Sequence, residues 1–396
     1  MNRPRILHVI TRLGVSAAAR HVIETSRRLS ERFDVVIAAG PEEEGEGSLR
    51  KAAAAARLPV ITIASLRRRG SILTDRRALK ELTETIRSLS PAIVHTHQSK
   101  AGVLGRMAAR KAGVRRTVHT FHGPLENLGR DGLLRRANAT AERRLARVTD
   151  RLIAVSPSLR DELVRQEVAP AERIEVILPL VDPARYFEDR PQGTARRRLG
   201  LPSSVPLVGM VGRLVASKDP LLFIKVFATV AASIPDARAI VCGDGPERAG
   251  MEAEARRRDL VQRITFAGWS IATREVCPDL DVLLLTSRYE GFSLAALQAM
   301  AAGRPVVGTR VTGIVDLVTH EQTGLLAPPG DDGALAGSVI LLLSDAAYRA
   351  RLGAAAREDA ARRFAGEDAA VRLMALYADL LAPAAVRRSR ERGSGG

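Results

Sequence analysis

Residues 281–313, DVLLLTSRYEGFSLAALQAMAAGRPVVGTRVTG, constrain the fold of this chain more than any other segment. The apolar run 281–287 has the length of a buried strand, and residues 293–302 have the length and composition of a helix. Gly303 ends that helix, and residues 305–308 begin a second strand. This succession predicts a parallel α/β unit whose first loop lies at the carboxyl end of a strand, where open α/β sheets bind ligands.

The loop itself carries the residues of a predicted ligand site. Ser293 is a candidate N-cap, which would direct free backbone N–H groups and the positive helix end towards a bound anion. Glu290 lies just before that helix end, where it could hold sugar hydroxyls beside a phosphate. Gln298, eight residues further on, lies inside the helix on the side that would face the ligand. The alternative is an ordinary βαβ unit with a surface glutamate in its loop.

The same stretch resembles the signature of retaining glycosyltransferases of the GT-B architecture, EGF-x-x-x-x-LEAMA-x-G-x-PVV. In that family the first glutamate contacts the donor sugar and the second contacts the ribose diol. Gln298 stands here at the second position, and its amide can hydrogen-bond a diol without the strength that a charge adds. The resemblance implies a donor-binding segment made of Glu290, Gly291, Phe292, Ser293, Leu294 and Gln298.

Two further segments of the second half support the donor role. Arg213 and Lys218 follow a predicted strand at 207–211 in a VGRL-x-x-x-K pattern, so that both cations can converge on a diphosphate. A surface salt-bridge pair is the alternative. Asp244 and Gly245 resemble the G-D-G-P turn of the family, which implies a donor-binding turn.

The first half carries the expected acceptor side. Residues 11–19 form the loop after the first predicted strand, and the resemblance places the acceptor there. Ser16 and Ala17 replace a glycine pair of the family, and their side chains narrow the approach of a ligand to the backbone. Either the acceptor geometry differs from that of the family or the activity is weak.

Four histidines end two further predicted strands: His95, His97, His119 and His122. They resemble the D-x-x-H-x-H and T-x-H-G segments of the family, which implies that His122 contacts the sugar or acceptor, with His97 as its neighbour. Zinc ligation is the alternative, but no Asp or Glu accompanies them within either motif. Strand alternation predicts a shared direction for His95 and His97 but not for His119 and His122. No metal and no cofactor are expected.

The net charge of +17 is uneven, because residues 1–190 hold 35 Lys or Arg against 22 Asp or Glu. A basic first half implies an anionic partner, namely a membrane surface, a lipid phosphate or a nucleic acid. Aromatic residues make up only 3%, which leaves few stacking platforms, so nucleic acid is not expected. Genome composition also explains a high arginine content. Residues 133–152 predict a helix with basic outer faces, either simply solvated or in contact with a membrane.

The whole chain predicts an α/β protein with two Rossmann-like domains whose parallel sheets face a cleft. We expect an acceptor domain at 1–188, a donor domain at 189–366, a helix at 367–382 returning to the first domain, and a disordered tail at 383–396. Two cysteines indicate a reduced compartment, and no apolar stretch reaches the roughly 18 residues of a membrane span. A cytoplasmic protein, peripheral on the inner face of the membrane, is expected.

The resemblance, taken with these features, implies a retaining glycosyltransferase that moves a sugar from a nucleotide diphosphate donor, with UDP expected in preference to GDP. The expected acceptor is a glycan or a lipid-linked sugar in cell-envelope or exopolysaccharide synthesis. One alternative is a nucleotide-sugar epimerase on the same architecture. The other is a catalytically weak or inactive scaffold protein, favoured by Gln298, Ser16 and Ala17 and opposed by the intact Glu290, Arg213 and Lys218.

Overall fold

The computed structural model describes residues 3–43, 47–68, 70–125, 132–180, 192–270, 273–364 and 369–383 of the 396-residue chain. They form two compact units. The first unit contains the described residues within 3–43, 48–180 and 369–383, and the second contains those within 192–364. Each unit is an α/β fold around a parallel sheet, as the sequence predicted.

Seven parallel strands form the sheet of the first unit, in the order β3-β2-β1-β4-β5-β6-β7. The order places β1 beside β4, so the segments that follow these two strands meet at the carboxyl edge. The strands are β1 Arg5–Arg12, β2 Asp34–Gly40, β3 Val60–Thr62, β4 Ile93–His97, β5 Thr117–Phe121, β6 Arg151–Ala154 and β7 Ile174–Val176.

Seven described helices accompany this sheet: Ala17–Leu29, Arg50–Ala55, Ile72–Leu89, Ser99–Lys111, Gly132–Arg147, Pro157–Arg165 and Ala369–Leu381. Serine hydroxyls begin three of them, because an N-cap oxygen satisfies a backbone N–H that the first helical turn leaves free. These N-caps are Ser16, Ser71 and Ser156.

The C-terminal helix Ala369–Leu381 packs within the first unit. Tyr377 is fully buried, and its ring meets that of Phe33 edge-on at 5.7 Å between centroids. Arg151 pairs with Asp379 at 2.8 Å, which ties the helix to β6. A segment that begins more than 190 residues after the end of β7 therefore completes the core of this unit.

Six parallel strands form the sheet of the second unit, in the order β10-β9-β8-β11-β12-β13. The strands are β8 Leu207–Val211, β9 Arg238–Cys242, β10 Ile264–Gly268, β11 Val282–Leu285, β12 Val306–Thr309 and β13 Gly324–Ala327. The described helices are Thr194–Arg198, Pro220–Ser233, Arg248–Arg257, Thr273–Val276, Leu294–Ala301, Asp332–Ser344 and Ala346–Phe364. Most of β8, β9, β11 and β12 is fully buried, as expected of a sheet covered on both faces.

Two predicted boundaries in the first unit are wrong. The loop expected at 11–19 is shorter, because β1 continues to Arg12 and Ser16 already caps a helix that begins at Ala17. The helix expected at 133–152 ends at Arg147, and Leu152 belongs to β6. Apolar residues at helical spacing continued across the turn into a strand, so periodicity alone did not mark the end.

Some expectations fall outside the described residues. These are the predicted domain junctions at 188–189 and 366–367 and the tail beyond 383. None of the helices within the described ranges is long and apolar enough to cross a membrane.

Candidate active site

The segments after β8 and β11 are fastened to each other at the carboxyl edge of the second sheet. The Thr286 hydroxyl lies 2.9 Å from the carbonyl oxygens of both Lys218 and Asp219. The backbone N–H of Arg288 donates to the Ser217 carbonyl at 2.8 Å. Because β8 and β11 are neighbours in the sheet, these bonds bring two predicted donor segments together.

Glu290 lies at the centre of this arrangement. Its carboxylate, only 8% exposed, forms an ion pair with Lys218 and accepts a hydrogen bond from Ser287 Oγ at 3.0 Å. Its backbone carbonyl accepts a hydrogen bond from Thr312 Oγ1 at 2.9 Å. A buried carboxylate is stable only with such partners, so the loop fixes both the main chain and the side chain of Glu290.

Gly313 allows the next loop to approach Glu290 closely. Its φ is +75°, a conformation that side chains disfavour. A Cβ there would lie 2.7 Å from the Gly291 backbone carbon and 2.9 Å from the Glu290 Cβ. The loop after β12 therefore supports the Glu290 loop only with glycine at this position.

The helix Leu294–Ala301 begins directly after the Glu290 loop. Ser293 is its N-cap, as predicted, and its Oγ accepts from the Ala296 N–H at 3.4 Å. Gly291 and Phe292 are buried, and the Phe292 ring meets that of Phe364 at 5.7 Å. The Phe292 ring thus anchors the loop in the core.

Leu294 and Gln298 are both half-buried on this helix. They are one helical turn apart and therefore share a face. That face begins at the N-terminus of the helix, where the backbone dipoles favour an anion. Gln298 thus lies inside the helix Leu294–Ala301, and its predicted position on the ligand side of that helix stays a prediction.

The turn after β9 joins the turn after β8. The Leu214 N–H donates to the Asp244 carbonyl at 2.9 Å, so half-buried Arg213 lies in a segment fixed to this turn. The Asp244 carboxylate accepts from the Gly245 N–H at 2.7 Å and pairs with Arg248 at 2.9 Å. Asp244 therefore shapes the turn, and its carboxylate is engaged within the protein.

The first unit assembles histidines from four separate segments at the carboxyl edge of its sheet. The nearest ring nitrogens of His122 and His97 are 3.2 Å apart, and those of His97 and His8 are 2.9 Å apart. His95 bonds Tyr377 Oη at 2.5 Å and Thr120 Oγ1 at 2.8 Å. The rings of His21 and His122 are 5.5 Å apart. The sequence predicted the pair His97 and His122 but missed His8 and His21.

The directions of the four strand-end histidines agree with strand alternation. The rings of His95 and His97 are 4.2 Å apart on one side of the sheet. His119 points elsewhere, to Thr96 Oγ1 at 2.8 Å and towards Glu142. Glu142 is itself buried in an ion pair with Arg106 at 2.5 Å, so this position of the predicted basic helix belongs to the core.

Burial holds these imidazoles in their neutral form. It lowers the pKa of His8 to about 3 and that of His21 to about 4, from the ordinary 6.5. The pKa values of His95, His97 and His119 are also well below 6.5, chiefly because burial removes the water that would stabilise a charge.

Neutral imidazoles in a chain constrain one another. Each ring has one N–H donor and one acceptor nitrogen, so the tautomer of His8 determines that of His97, which determines that of His122. His8 Nε2 is buried with no partner among the described residues. An unsatisfied buried N–H is rarer than an unsatisfied acceptor, which favours the proton on His8 Nδ1. His122 then carries its proton on Nδ1 and presents a donor on its far side.

Within the described residues, His8, His95 and His97 also form a group whose ligand-type nitrogens all lie within 4.8 Å of one another. Hydrogen bonds already engage both nitrogens of His95 and of His97. A metal ion would have to replace these bonds. The arrangement is accounted for as a network of neutral rings.

Ser16 and Ala17 lie at the start of the first helix of this unit. Ser16 Oγ accepts from the Ala19 N–H at 3.2 Å. The N-terminus of this helix lies just beyond β1, the strand that carries His8. The sheet order places it at the same edge as His97, which follows from β1 pairing with β4.

Comparison with known proteins assigns the chain to a family. Residues 191–359 match the sequence profile described as "Glycosyl transferases group 1", and residues 18–185 match "Glycosyltransferase Family 4". The UDP-Gal:alpha-D-GlcNAc-diphosphoundecaprenol alpha-1,3-galactosyltransferase of Escherichia coli is 29% identical over 72% of this chain and 74% of that protein. The D-inositol 3-phosphate glycosyltransferase of Thermobispora bispora is 30% identical over 73% of this chain and 71% of that protein. The chain belongs to the group 1 glycosyl transferases.

The fold of this group 1 glycosyl transferase is similar to that of Anabaena HepE in complex with UDP and glucose. The two share a TM-score of 0.81 and 21% identity, over 96% of this chain and 100% of that chain. Two parallel-sheet Rossmann-like units are confirmed for this glycosyl transferase. It is an enzyme that transfers a sugar from a nucleotide-sugar donor, and this much of the sequence prediction is also confirmed.

Proposed function

We propose that this glycosyltransferase uses a UDP-sugar and transfers the sugar, with retention of anomeric configuration, to a lipid-linked acceptor or a glycan. The E. coli relative is named for a UDP-galactose donor and a diphosphoundecaprenol-linked acceptor. The structurally similar HepE is described with UDP and glucose. Both names support UDP over GDP, and the first supports a lipid-linked acceptor in cell-envelope or exopolysaccharide synthesis.

The observation that carries the proposal is the Lys218–Glu290 pair at the carboxyl edge of the second sheet. A cation and a carboxylate in contact can bind the two adjacent parts of a sugar nucleotide. Lys218, with Arg213, holds the diphosphate, and Glu290 accepts hydrogen bonds from the sugar hydroxyls. The backbone of the loop and the N-terminus of the helix also contact the donor, through Gly291, Phe292, Ser293 and Leu294. Asp244 and Gly245 form the donor-binding turn that follows β9.

Gln298 holds the ribose diol in this proposal. Its amide supplies one acceptor oxygen and two donor hydrogens, enough for both hydroxyls of a diol. His122 and His97 contact the acceptor in the first unit, with Ser16 and Ala17 as the neighbouring helix start.

The chemistry follows from fixed positive charge. The bond between the anomeric carbon and the leaving phosphate oxygen breaks, and Lys218, Arg213 and the helix N-terminus stabilise the charge on the departing diphosphate. The acceptor oxygen forms the new bond on the same face, and its proton passes to the leaving phosphate. This route retains configuration and requires no protein nucleophile.

We also propose a cytoplasmic enzyme that binds the inner face of the membrane peripherally. The excess of positive charge in residues 1–190 supports attraction to anionic lipid. A lipid-linked acceptor would require the enzyme to work at that surface.

A thermal-shift screen of UDP, GDP and ADP and their sugars tests the donor. UDP compounds should raise the melting temperature most, because a ligand that binds only the folded state stabilises it. NMR of the product then reports anomeric configuration. A shift with GDP alone would remove the UDP assignment, and inversion would remove the mechanism.

A scaffold role is the second candidate, since Gln298 lacks the usual carboxylate and Ser16 caps a helix where the family has glycine. Release of free UDP from a UDP-sugar in the presence of an acceptor separates the two. A protein that binds a UDP-sugar but releases no UDP with any of the acceptors tested would be a scaffold.

A further inference from the structure

The two most exposed large apolar side chains in the described part of the chain are adjacent in sequence. Ile72 is 74% exposed and Leu73 is 65% exposed. They are the first two residues of the helix Ile72–Leu89. The helix packs against the core of the unit through other residues, namely Ala78, Leu82 and Ile86. The side chains of Ile72 and Leu73 therefore form apolar surface that is exposed to solvent.

Exposed arginines surround this apolar pair. Arg67 and Arg68 precede it, and Arg76 and Arg77 follow it one turn later. None of the four has a hydrogen-bond or ion-pair partner among the residues the structure describes. The nearby Asp75 is already neutralised by Lys100 at 2.7 Å. The surface therefore combines apolar tips with uncompensated positive charge.

The surface lies at the carboxyl edge of the first sheet. It follows β3, which is parallel to β2, so it emerges at the same edge as the segments after β1, β4 and β5. Lys100 belongs to the helix Ser99–Lys111, which begins two residues after His97. The Asp75–Lys100 ion pair thus fixes the apolar helix end to the segment that presents His97.

We propose that Ile72, Leu73, Arg67, Arg68, Arg76 and Arg77 form a docking surface for an anionic lipid bilayer. Apolar tips enter the interface between headgroups and acyl chains, and guanidinium groups bind lipid phosphates around them. A second copy of the chain fits poorly, because a two-fold contact through this surface would bring eight like charges together. The inference rests on the proposed function, since it gives the membrane-bound acceptor a place to meet the enzyme.

Vesicle flotation tests this surface. The intact protein should float with vesicles of phosphatidylcholine and phosphatidylglycerol and remain at the bottom with phosphatidylcholine alone. Arg76→Gln with Arg77→Gln should weaken binding by about fivefold for each charge removed. Ile72→Ser with Leu73→Ser should weaken it roughly tenfold or more, because two apolar side chains no longer leave water.

The matched control is Val371→Ser, an equally simple change at a residue of the same unit that is 58% exposed. It should float like the unaltered protein. Since all these residues are exposed, the variants should keep the melting temperature, which circular dichroism checks. Flotation of the Ile72→Ser, Leu73→Ser protein at the level of the control would overturn the proposal, as would failure of the unaltered protein to bind anionic vesicles.

A vesicle-free assay keeps this test separate from the proposed function. The variants should release UDP from a UDP-sugar with a water-soluble acceptor at the unaltered rate. If the unaltered protein floats as expected but turns over no UDP-sugar, the docking surface stands and the proposed reaction fails. If turnover is normal but the apolar variant still floats, the reaction stands and this surface is wrong.

Discussion

Lys218 and Glu290 form an ion pair in the second unit, with Nζ in contact with Oε1. The sequence assigns these two residues to different parts of a sugar nucleotide, and the structure brings them into direct contact. A diphosphate that binds Lys218 competes with the carboxylate, and a sugar that binds Glu290 competes with the ammonium. If the donor binds both side chains as we propose, its binding exchanges one internal ion pair for two contacts with the ligand.

Lys218→Ala should weaken UDP binding by about 1.5–3 kcal/mol, or roughly 10- to 150-fold, because it removes a charge-assisted contact to phosphate. Isothermal calorimetry measures the change. Lys225→Ala is the matched control, since Lys225 is an exposed lysine of the same unit that pairs with Asp332 at 2.7 Å. If the Lys218→Ala protein keeps the melting temperature of the unaltered protein and binds UDP as tightly as the control does, Lys218 lies outside the donor site.

Ser287→Ala should lower turnover roughly tenfold while UDP affinity stays nearly constant. Ser287 Oγ donates to the Glu290 carboxylate at 3.0 Å, so its loss frees the side chain that we assign to the sugar and not to the nucleotide. Steady-state kinetics and UDP calorimetry separate the two effects. Ser270→Ala, at an exposed serine of the same unit, is the control. A parallel loss of UDP affinity would show that Ser287 acts on the whole loop.

Gln298→Glu should tighten UDP binding by at most about 1–1.5 kcal/mol, the difference between charged and neutral hydrogen bonds to a diol. Gln322→Glu adds the same charge at an exposed position of the same unit and should have no such effect. Calorimetry with UDP and with uridine compares both variants. Weaker binding in Gln298→Glu would indicate a pocket adapted to a neutral amide.

The buried histidines should make the first unit sensitive to acid. Their pKa values in the folded state lie below the ordinary 6.5, at about 3 for His8 and about 4 for His21. As the pH falls, the unfolded chain therefore binds protons at these histidines before the folded chain does. The free energy of unfolding is therefore highest above pH 6.5 and falls as the pH falls towards 4. Each histidine contributes about 1.4 kcal/mol per pH unit in that window.

Urea unfolding followed by circular dichroism at a series of pH values measures this slope. His21→Leu removes one of these groups and should reduce the slope below pH 6 by about 1.4 kcal/mol per pH unit. The slope between about pH 7.5 and 8 should be small in both proteins. An unchanged slope in the His21→Leu protein would show that His21 takes up its proton in the folded state.

The local sequence was sufficient to predict the strands and the helix of the proposed donor segment. Ser293 caps its helix where predicted, β11 lies within the expected apolar run, and β12 begins within the expected segment 305–308 and ends one residue beyond it. Such features depend on residues within one turn or one strand, and so their physical causes are present in the sequence.

The periodicity of apolar residues did not predict the end of a helix where the helix was followed by a strand with similar apolar spacing. The helix Gly132–Arg147 and strand β6 share a continuous apolar pattern, so the predicted helix was too long. Helix ends depend on which carbonyls find a partner, and here β6 begins because residues from β5 and β7 supply that pairing. Those partners are distant in sequence.

The sequence by itself determined that this chain contains two parallel α/β units, and it pointed to Glu290, Arg213 and Lys218 as the residues of the donor segment that we propose. Only the tertiary structure decided that Lys218 meets Glu290, and that His8 and His21 join His97 and His122. Residue 8 pairs with residue 95 because β1 lies beside β4 in the sheet, and strand order is not encoded in any local pattern. Local patterns specify elements through short-range energies, whereas contacts between elements arise from the packing of the whole core.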